Sequence, residues 1–384
     1  MNLPKIGILS FATQAEGFSG AVKKSPQDFV VQEISAGGEI ASLAPDPTLI
    51  EHDLEYTDFT LAKTNWDQHI LLKKIANRVG VSRKRLHYAG TKDKFAITAQ
   101  RISAWKLSPS QLSAVRIKDC LIGDFSASDK RLELGDLWGN RFSIFVRDVS
   151  LSEKELSARL KEFSSELKKL GGIPSFFGEQ RFGMRFNNHL IGKELLRGNL
   201  ELACKHFLTD TIETELPDGK QAREFLAENW GSFSEAISKY PNYMRFERAL
   251  LNHLIQFPND FVGAFKKLHK NNYKMFTHAY QSHIFNLELS GRIKSGDLSG
   301  EMNLVGYNSD LSGFQLAILE KDGLTKETLR IKSFPEASIS GSKRKCIAEI
   351  KNFSYLIENN SLKLSFDLEK GSYATVLLHE LLKE

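Results

Sequence analysis

The segment Ser152–Leu170 restricts most strongly what this chain can become. Ser152 and Glu155 form the two ends of a capping box, and Leu156, Leu160, Phe163, Leu167 and Leu170 recur at helical spacing. Gly171-Gly172 ends the pattern and Pro174 forbids its resumption. This break is a natural boundary between structural units. A chain of 384 residues is long for one core and comfortable for two domains.

On either side of the boundary the patterns differ. Gly20–Ile34 reads as a turn around Pro26 and Asp28 followed by a strand from Phe29. Residues 65–79 read as a helix with Thr64 as N-cap and Gly80 as its stop. Arg131–Arg147 reads as strand, turn, strand, with Leu132 and Leu134 before Gly135 and Phe142, Ile144 and Val146 after Gly139; Asn140 and Phe142 share a parity and hence a face. Beyond the boundary, residues 188–289 are predominantly helical, 276–293 look like a largely buried helix, and 301–329 read as short strands and turns. Leu362, Leu364, Phe366 and Leu368 alternate as a strand, and residues 374–382 close the chain as a short helix.

Composition excludes several classes. Apolar residues at 41% and charged residues at 26% suit a water-soluble globular protein. Lys and Arg number 52 against 47 Asp and Glu, mildly basic and compatible with a nucleic-acid partner. Cys120, Cys204 and Cys346 form no CxxC pair, and the ten histidines include no HExxH, so neither a disulfide scaffold nor a metal is expected. No apolar run reaches membrane-spanning length and the opening run is too short for a signal peptide, so cytoplasmic is the expected location, as a monomer.

Chemistry concentrates in Tyr88–Gln100, YAGTKDKFAITAQ. A small-residue turn leads through Lys92 and Asp93 into an alternating, half-buried strand. A carboxylate at the mouth of a strand, after a glycine, is well placed for chemistry, although an Asp beside Gly and Lys is commonly a solvated turn residue. Six cations precede it without an intervening acid: Lys73, Lys74, Arg78, Arg83, Lys84 and Arg85, a patch suited to phosphates. Further basic spots are Lys266, Lys267, Lys270 and Lys274, and Lys343-Arg344-Lys345. In Pro174–Phe186, PSFFGEQRFGMRF, a buried aromatic core accounts for the phenylalanines but not for Gln180 and Arg181; nucleic-acid stacking or hydrogen bonding accounts for both.

These stretches, with KKSPQDFVVQE (Lys23–Glu33), GNRF (Gly139–Phe142), AYQSHIFN (Ala279–Asn286) and KGSYATVLLHEL (Lys370–Leu381), resemble the TruD family of tRNA pseudouridine synthases in order and over nearly the whole chain. The resemblance implies an α+β protein. A catalytic domain with a mixed, mainly antiparallel sheet would span residues 1–172 and 340–384, with a family-specific α/β domain inserted at 173–339 and RNA held in the cleft. It implies an isomerase, an intramolecular transferase needing no cofactor or metal, with tRNA as partner and uridine 13 as target. The family's catalytic aspartate maps onto Asp93 and its active-site lysine onto Lys23; Phe29, Asn140 and Phe142 map onto substrate-contacting positions. Arg181, Lys92, Lys94, Arg83, Lys84 and Arg85 are expected RNA contacts. Two departures stand out: the family's PNYFG is Pro174-Ser175-Phe176-Phe177-Gly178 here, which leaves the roles of Ser175 and Phe176 open, as that of Thr91 is, and Lys94 replaces a frequent Arg.

Such an isomerisation breaks the C1′–N1 bond of a flipped uridine and joins C5 to C1′. One carboxylate suffices, attacking C1′ or removing the C2′ proton, and the sequence does not choose between these routes. Lys23 is the expected counter-ion, Phe142 the platform for the base and Asn140 a hydrogen-bonding group. A non-catalytic RNA-binding protein is the main rival, but it needs no carboxylate facing an anionic backbone. A hydrolase would want a second acid, and nothing in the sequence places Glu213 or Glu215 near Asp93.

Overall fold

The computed structural model describes residues 3–383 and divides into two compact units, Thr13–Ile173 with Ala348–Glu384, and Met1–Ala12 with Pro174–Ile347. The first unit contains, in chain order, β1 (Ala21–Val22), β2 (Phe29–Ser35), β3 (Tyr56–Thr64), α1 (Gln68–Arg78), β4 (Leu86–Tyr88), β5 (Ile97–Trp105), α2 (Pro109–Ser113), β6 (Cys120–Ser128), β7 (Leu137–Arg147), α3 (Glu153–Leu170) and β8 (Gly172–Pro174). The second unit then carries α4 (Asn188–Leu196), α5 (Leu200–Thr209), α6 (Pro217–Glu228), α7 (Phe233–Lys239), α8 (Arg245–Gln256), α9 (Phe261–Phe265), α10 (Lys270–Ser295), β9 (Glu301–Leu304), α11 (Gly313–Lys321) and β10 (Ser342–Lys345). The chain closes with β11 (Ile347–Glu358), β12 (Ser361–Glu369) and α12 (Ala374–Leu382).

The sheet runs β6-β3-β5-β2-β7-β12-β11-β8, with β1 beside β7 and β4 beside β5. Strands β2 and β5 are parallel; β3–β5, β3–β6, β2–β7, β7–β12 and β11–β12 are antiparallel. This is the mixed, mainly antiparallel sheet of an α+β protein. Because strand partners opposite one another share a face, the registers align Lys63, Thr98, Val31, Phe142 and Phe366 in one row across five strands. On that face α1 covers Phe59 and Leu61, burying Leu71, Leu72 and Ile75.

Local chemistry sets the element ends. In α3 the Ser152–Glu155 capping box forms and Gly171 closes the helix at φ 72°. In α1 the cap is Asp67, whose carboxylate accepts from Ile70 N at 2.9 Å. The expected cap, Thr64, is the last residue of β3. Strand β5 is not half-buried: Thr98, Ala99 and Gln100 are all enclosed, because α1 covers one face of the sheet, where Ile102 packs, and Ala41 and Leu43 pack with Ala99 on the other. The strand expected at Leu132–Leu134 is a loop, and Leu134 is 72% exposed. Residues 313–321, expected among strands and turns, form α11 behind a Ser312–Gln315 capping box.

The second unit is helical around α10, whose 26 residues extend about 39 Å at 1.5 Å each, with a small β9–β10 hairpin. The N-terminal segment departs from the expected grouping. It packs with this unit because Asn286 and Ser290 of α10 donate to Ile6 O at 2.9 Å and Gly7 O at 3.0 Å. The return crossing falls after Ile347 instead of at residue 340.

Gly139 is dictated by packing: a Cβ there would lie 2.0 Å from Leu368 O of the adjacent strand. Gly139→Ala is expected to destabilise the first unit by about 1–3 kcal/mol or more, an overpacking cost, whereas Ser143→Ala changes stability by less than about 1 kcal/mol. Urea unfolding of the two variants checks the contrast.

Candidate active site

Asp93 lies in the loop joining β4 to β5, and side chains from four elements hold that loop by its backbone and by Lys92. Gln68, at the start of α1, accepts from Lys92 N at 2.7 Å and donates to Gly90 O at 3.2 Å. Gln100 of β5 donates to the same carbonyl at 3.1 Å. Lys63 of β3 donates Nζ to Asp93 O at 2.7 Å. Lys92 itself turns inward, its ammonium 2.5 Å from Glu33 Oε2 of β2, with the two side chains 3% and 2% exposed. Glu33 Oε1 accepts from Arg101 N at 3.1 Å. A loop engaged at so many points presents the Asp93 side chain, 26% exposed, in one orientation.

Lys23 faces that carboxylate. Its Nζ lies 3.4 Å from Asp93 Oδ2 and 3.8 Å from the centroid of the Phe29 ring, a cation–π contact beneath the ion pair. Lys23 adopts φ 58°, a left-handed conformation uncommon for a side chain of this size. It is held there from both sides. Ala21 and Val22 pair with Arg147 and Val146, and the following turn is closed by Asp28. That carboxylate accepts from Ser25 N at 2.8 Å, Ser25 Oγ at 3.0 Å and Arg147 Nε at 2.9 Å. Burial acts to raise the pKa of Asp28, but these donors outweigh it and keep the acid below its ordinary value.

Phe142 sits beside this pair, 7% exposed, stacked on Phe366 at 5.3 Å and edge-on to Phe29 at 6.1 Å. Asn140 pairs opposite Glu33 and Leu368 in the same sheet. Its Oδ1, with Thr98 Oγ1 and Gln100 Oε1, is buried without a hydrogen-bond partner among the described residues. The structure thus brings together Lys23, Asp93, Phe29 and Phe142, with Asn140 one row away.

Several expected RNA contacts are placed otherwise. Lys92 is a correction: a phosphate would have to displace Glu33 from it. Arg181 lies in the second unit with its guanidinium 5.4 Å from the Phe177 ring and its Nε buried, while Phe176, Phe177 and Phe182 are core. Arg83 donates to Leu86 O at 2.5 Å and lies over Tyr88, and Arg85 donates to Trp105 O at 2.7 Å. Lys84 and Lys94 are exposed. Glu215 is engaged by Arg223 at 2.7 Å in the second unit. Sequence reasoning missed Lys63, Glu33 and Gln68 as holders of the loop. The legible signal was a lysine inside the apolar run Phe59–Thr64. Phe95, expected within the alternating strand, precedes it and is 42% exposed.

An α+β fold whose mixed, mainly antiparallel sheet presents a loop carboxylate beside a lysine is the class of protein that the structure defines. The family model described as "tRNA pseudouridine synthase D (TruD)" matches residues 5–306 and 300–381. Relatives called "Probable tRNA pseudouridine synthase D" include one from Methanosarcina acetivorans, 33% identical over 99% of this chain and 96% of its own, and one from Methanopyrus kandleri, 35% identical over 85% of each. The crystal structure of a Methanosarcina mazei protein bearing the TruD name aligns at TM-score 0.79 and 33% identity, covering 99% of this chain and 97% of that one. The chain belongs to the TruD family of tRNA pseudouridine synthases, which are isomerases.

Two outcomes test the loop's supports. Lys92→Met leaves Glu33 buried without its partner and is expected to cost about 3–5 kcal/mol, much of it recovered in Lys92→Met/Glu33→Met, as read by chemical denaturation. Burial holds the Lys63 amine down to about 8, with Asp93 opposing that shift. A lysine whose folded value lies below its ordinary 10.5 binds fewer protons folded than unfolded between those pH values. Its burial therefore costs stability fully below about pH 8, and the cost is relieved as pH rises. The stability of wild type relative to Lys63→Met should increase from about pH 8 toward 10.5, measured by urea unfolding at each pH.

Proposed function

We propose that this protein isomerises a uridine of tRNA to pseudouridine, uridine 13 by the family resemblance, with Asp93 as the catalytic carboxylate. The observation carrying this reading is the Lys23–Asp93 ion pair, presented by a loop whose backbone is anchored from β3, α1 and β5. The target nucleotide is flipped from its stack, an unstacking that costs a few kcal/mol, offset by cations on the phosphates. Asp93, facing Lys23 Nζ, attacks C1′ or removes the C2′ proton as the C1′–N1 bond breaks. The detached uracil turns and C5 bonds to C1′ as the Asp93 carboxylate leaves C1′ or returns the proton to C2′, and C5 then gives up its proton while N1 gains one. The overall change conserves every atom and requires no oxidant, metal or cofactor.

In this reading the uracil packs on the side of Phe142 turned away from Phe366, with Phe29 supporting the Lys23 ammonium. The Asn140 Oδ1 is a buried acceptor suited to an N–H of the base. Lys84, before β4, and Lys94, next to Asp93 in its loop, are exposed and suited to phosphates. The protein is taken to act as a cytoplasmic monomer.

Asp93→Asn is expected to abolish product while leaving tRNA affinity close to wild type, scored by carbodiimide labelling and primer extension on a tRNA transcript. Substantial pseudouridine from the Asn variant would remove Asp93 from the chemistry. Lys23→Met should lower turnover more than binding; an effect confined to the dissociation constant would make Lys23 a phosphate contact instead. Release of free uracil would identify a hydrolase.

A further inference from the structure

We infer that Phe95 is an aromatic wedge that fills the gap left in the RNA stack when the target uridine turns out toward Asp93. This rests on the reading above and adds a substrate-contacting residue to it. Phe95 is 42% exposed, which for a single apolar side chain is ordinary. Its setting is not. Ala96 N donates to Lys94 O at 3.0 Å, closing a three-residue turn with Phe95 at the apex. The pairing of β5 starts only at Ile97, so this residue stands outside the sheet instead of continuing its alternation.

The turn is held on both sides. Before it, Lys63 Nζ donates to Asp93 O at 2.7 Å. After it, Asn65 N donates to Ala96 O at 3.0 Å, and Ala96 itself is fully buried. Both supports come from the end of β3 and the residue that follows it. An aromatic ring whose backbone is fixed before RNA arrives has little conformational freedom left to lose on stacking. Lys94, exposed beside it, is a cation suited to the adjoining phosphate.

The dimensions agree. Asp93 and Phe95 are two residues apart, so their Cα atoms lie within about 7 Å of each other. Successive bases of one strand stack at about 3.4 Å, and removing one base leaves its neighbours about 7 Å apart. One ring fits that gap with a contact of about 3.5 Å on each face. With Asp93 at C1′ of the flipped uridine, the Phe95 ring is within one nucleotide's reach of the vacated place. Stacking there offsets part of the cost of flipping and favours the state in which the carboxylate meets C1′.

The test uses the full chain and tRNA transcripts. Phe95→Ala is expected to lower kcat/KM on the order of tenfold to a hundredfold, while Phe95→Trp and Phe95→Tyr keep most of the activity. All three should retain the wild-type urea midpoint. A kcat/KM for Phe95→Ala within about twofold of wild type would overturn the inference. A transcript with an abasic nucleotide on each side of the target offers the ring nothing to stack on, so on it wild type and Phe95→Ala should differ by less than about twofold. A difference as large as on the intact transcript would make Phe95 a packing residue of the protein and overturns the wedge. 5-Iodouridine is then placed immediately 5′ of the target in one transcript and immediately 3′ in another. Near-ultraviolet light should crosslink one of them to the peptide containing Phe95, and Phe95→Ala should abolish that product; crosslinks from both positions to other peptides overturn the inference. If wild type produced no pseudouridine, the functional reading would fail, while the crosslink, which needs binding but no turnover, would still judge Phe95.

Discussion

The buried ion pair between Lys92 and Glu33 is the interaction on which the Asp93 loop depends. Two charges with almost no solvent contact are sustained only when each has its partner and its remaining hydrogen-bonding capacity is used. Glu33 meets this by taking Arg101 N on its second oxygen, and Lys92 by being drawn beneath the loop. The consequence is mechanical. The residue preceding Asp93 is pinned into the sheet, while Gln68, Gln100 and Lys63 engage the carbonyls of Gly90 and Asp93. A loop between two strands is ordinarily the mobile part of a fold; this one is tied to four separate elements.

The same economy of supports governs the opposing lysine. Its left-handed backbone is a conformation that persists only where the surroundings over-determine it, and here β1 pairing on one side and the Ser25–Asp28–Arg147 cluster on the other do so. The cation then lies against Phe29, whose ring is in turn edge-on to Phe142. Sheet register links these parts, since Val31, Phe142 and Phe366 occupy one row and Glu33 and Asn140 the next. A one-residue slip of β2 against β7 would turn Glu33 away from Lys92 and separate Phe29 from Phe142.

Where the chain encoded structure through contacts between near neighbours, it was legible. The capping box and αL glycine of α3, the alternation of β12 and the closing helix α12 depend on spacing alone, and all three formed with the expected boundaries to within a residue or two. The misreadings share a cause. Leu132 and Leu134 alternate like strand residues, yet no neighbouring strand pairs with them, and they remain in a loop. Phe95 continues the parity of β5 but precedes its pairing. Lys92 and Arg181 read as surface cations because charge in a sequence implies solvent until a partner distant in the chain is known; Glu33 is 59 residues away from Lys92.

By itself the sequence determined the ends and types of the strongly periodic elements and the family, because these reside in local spacing and in short ordered strings. Only the tertiary structure decided which charges are buried and that Lys63, Gln68 and Gln100 hold the loop. Those facts depend on strand order and register, which bring together atoms that no window along the chain contains.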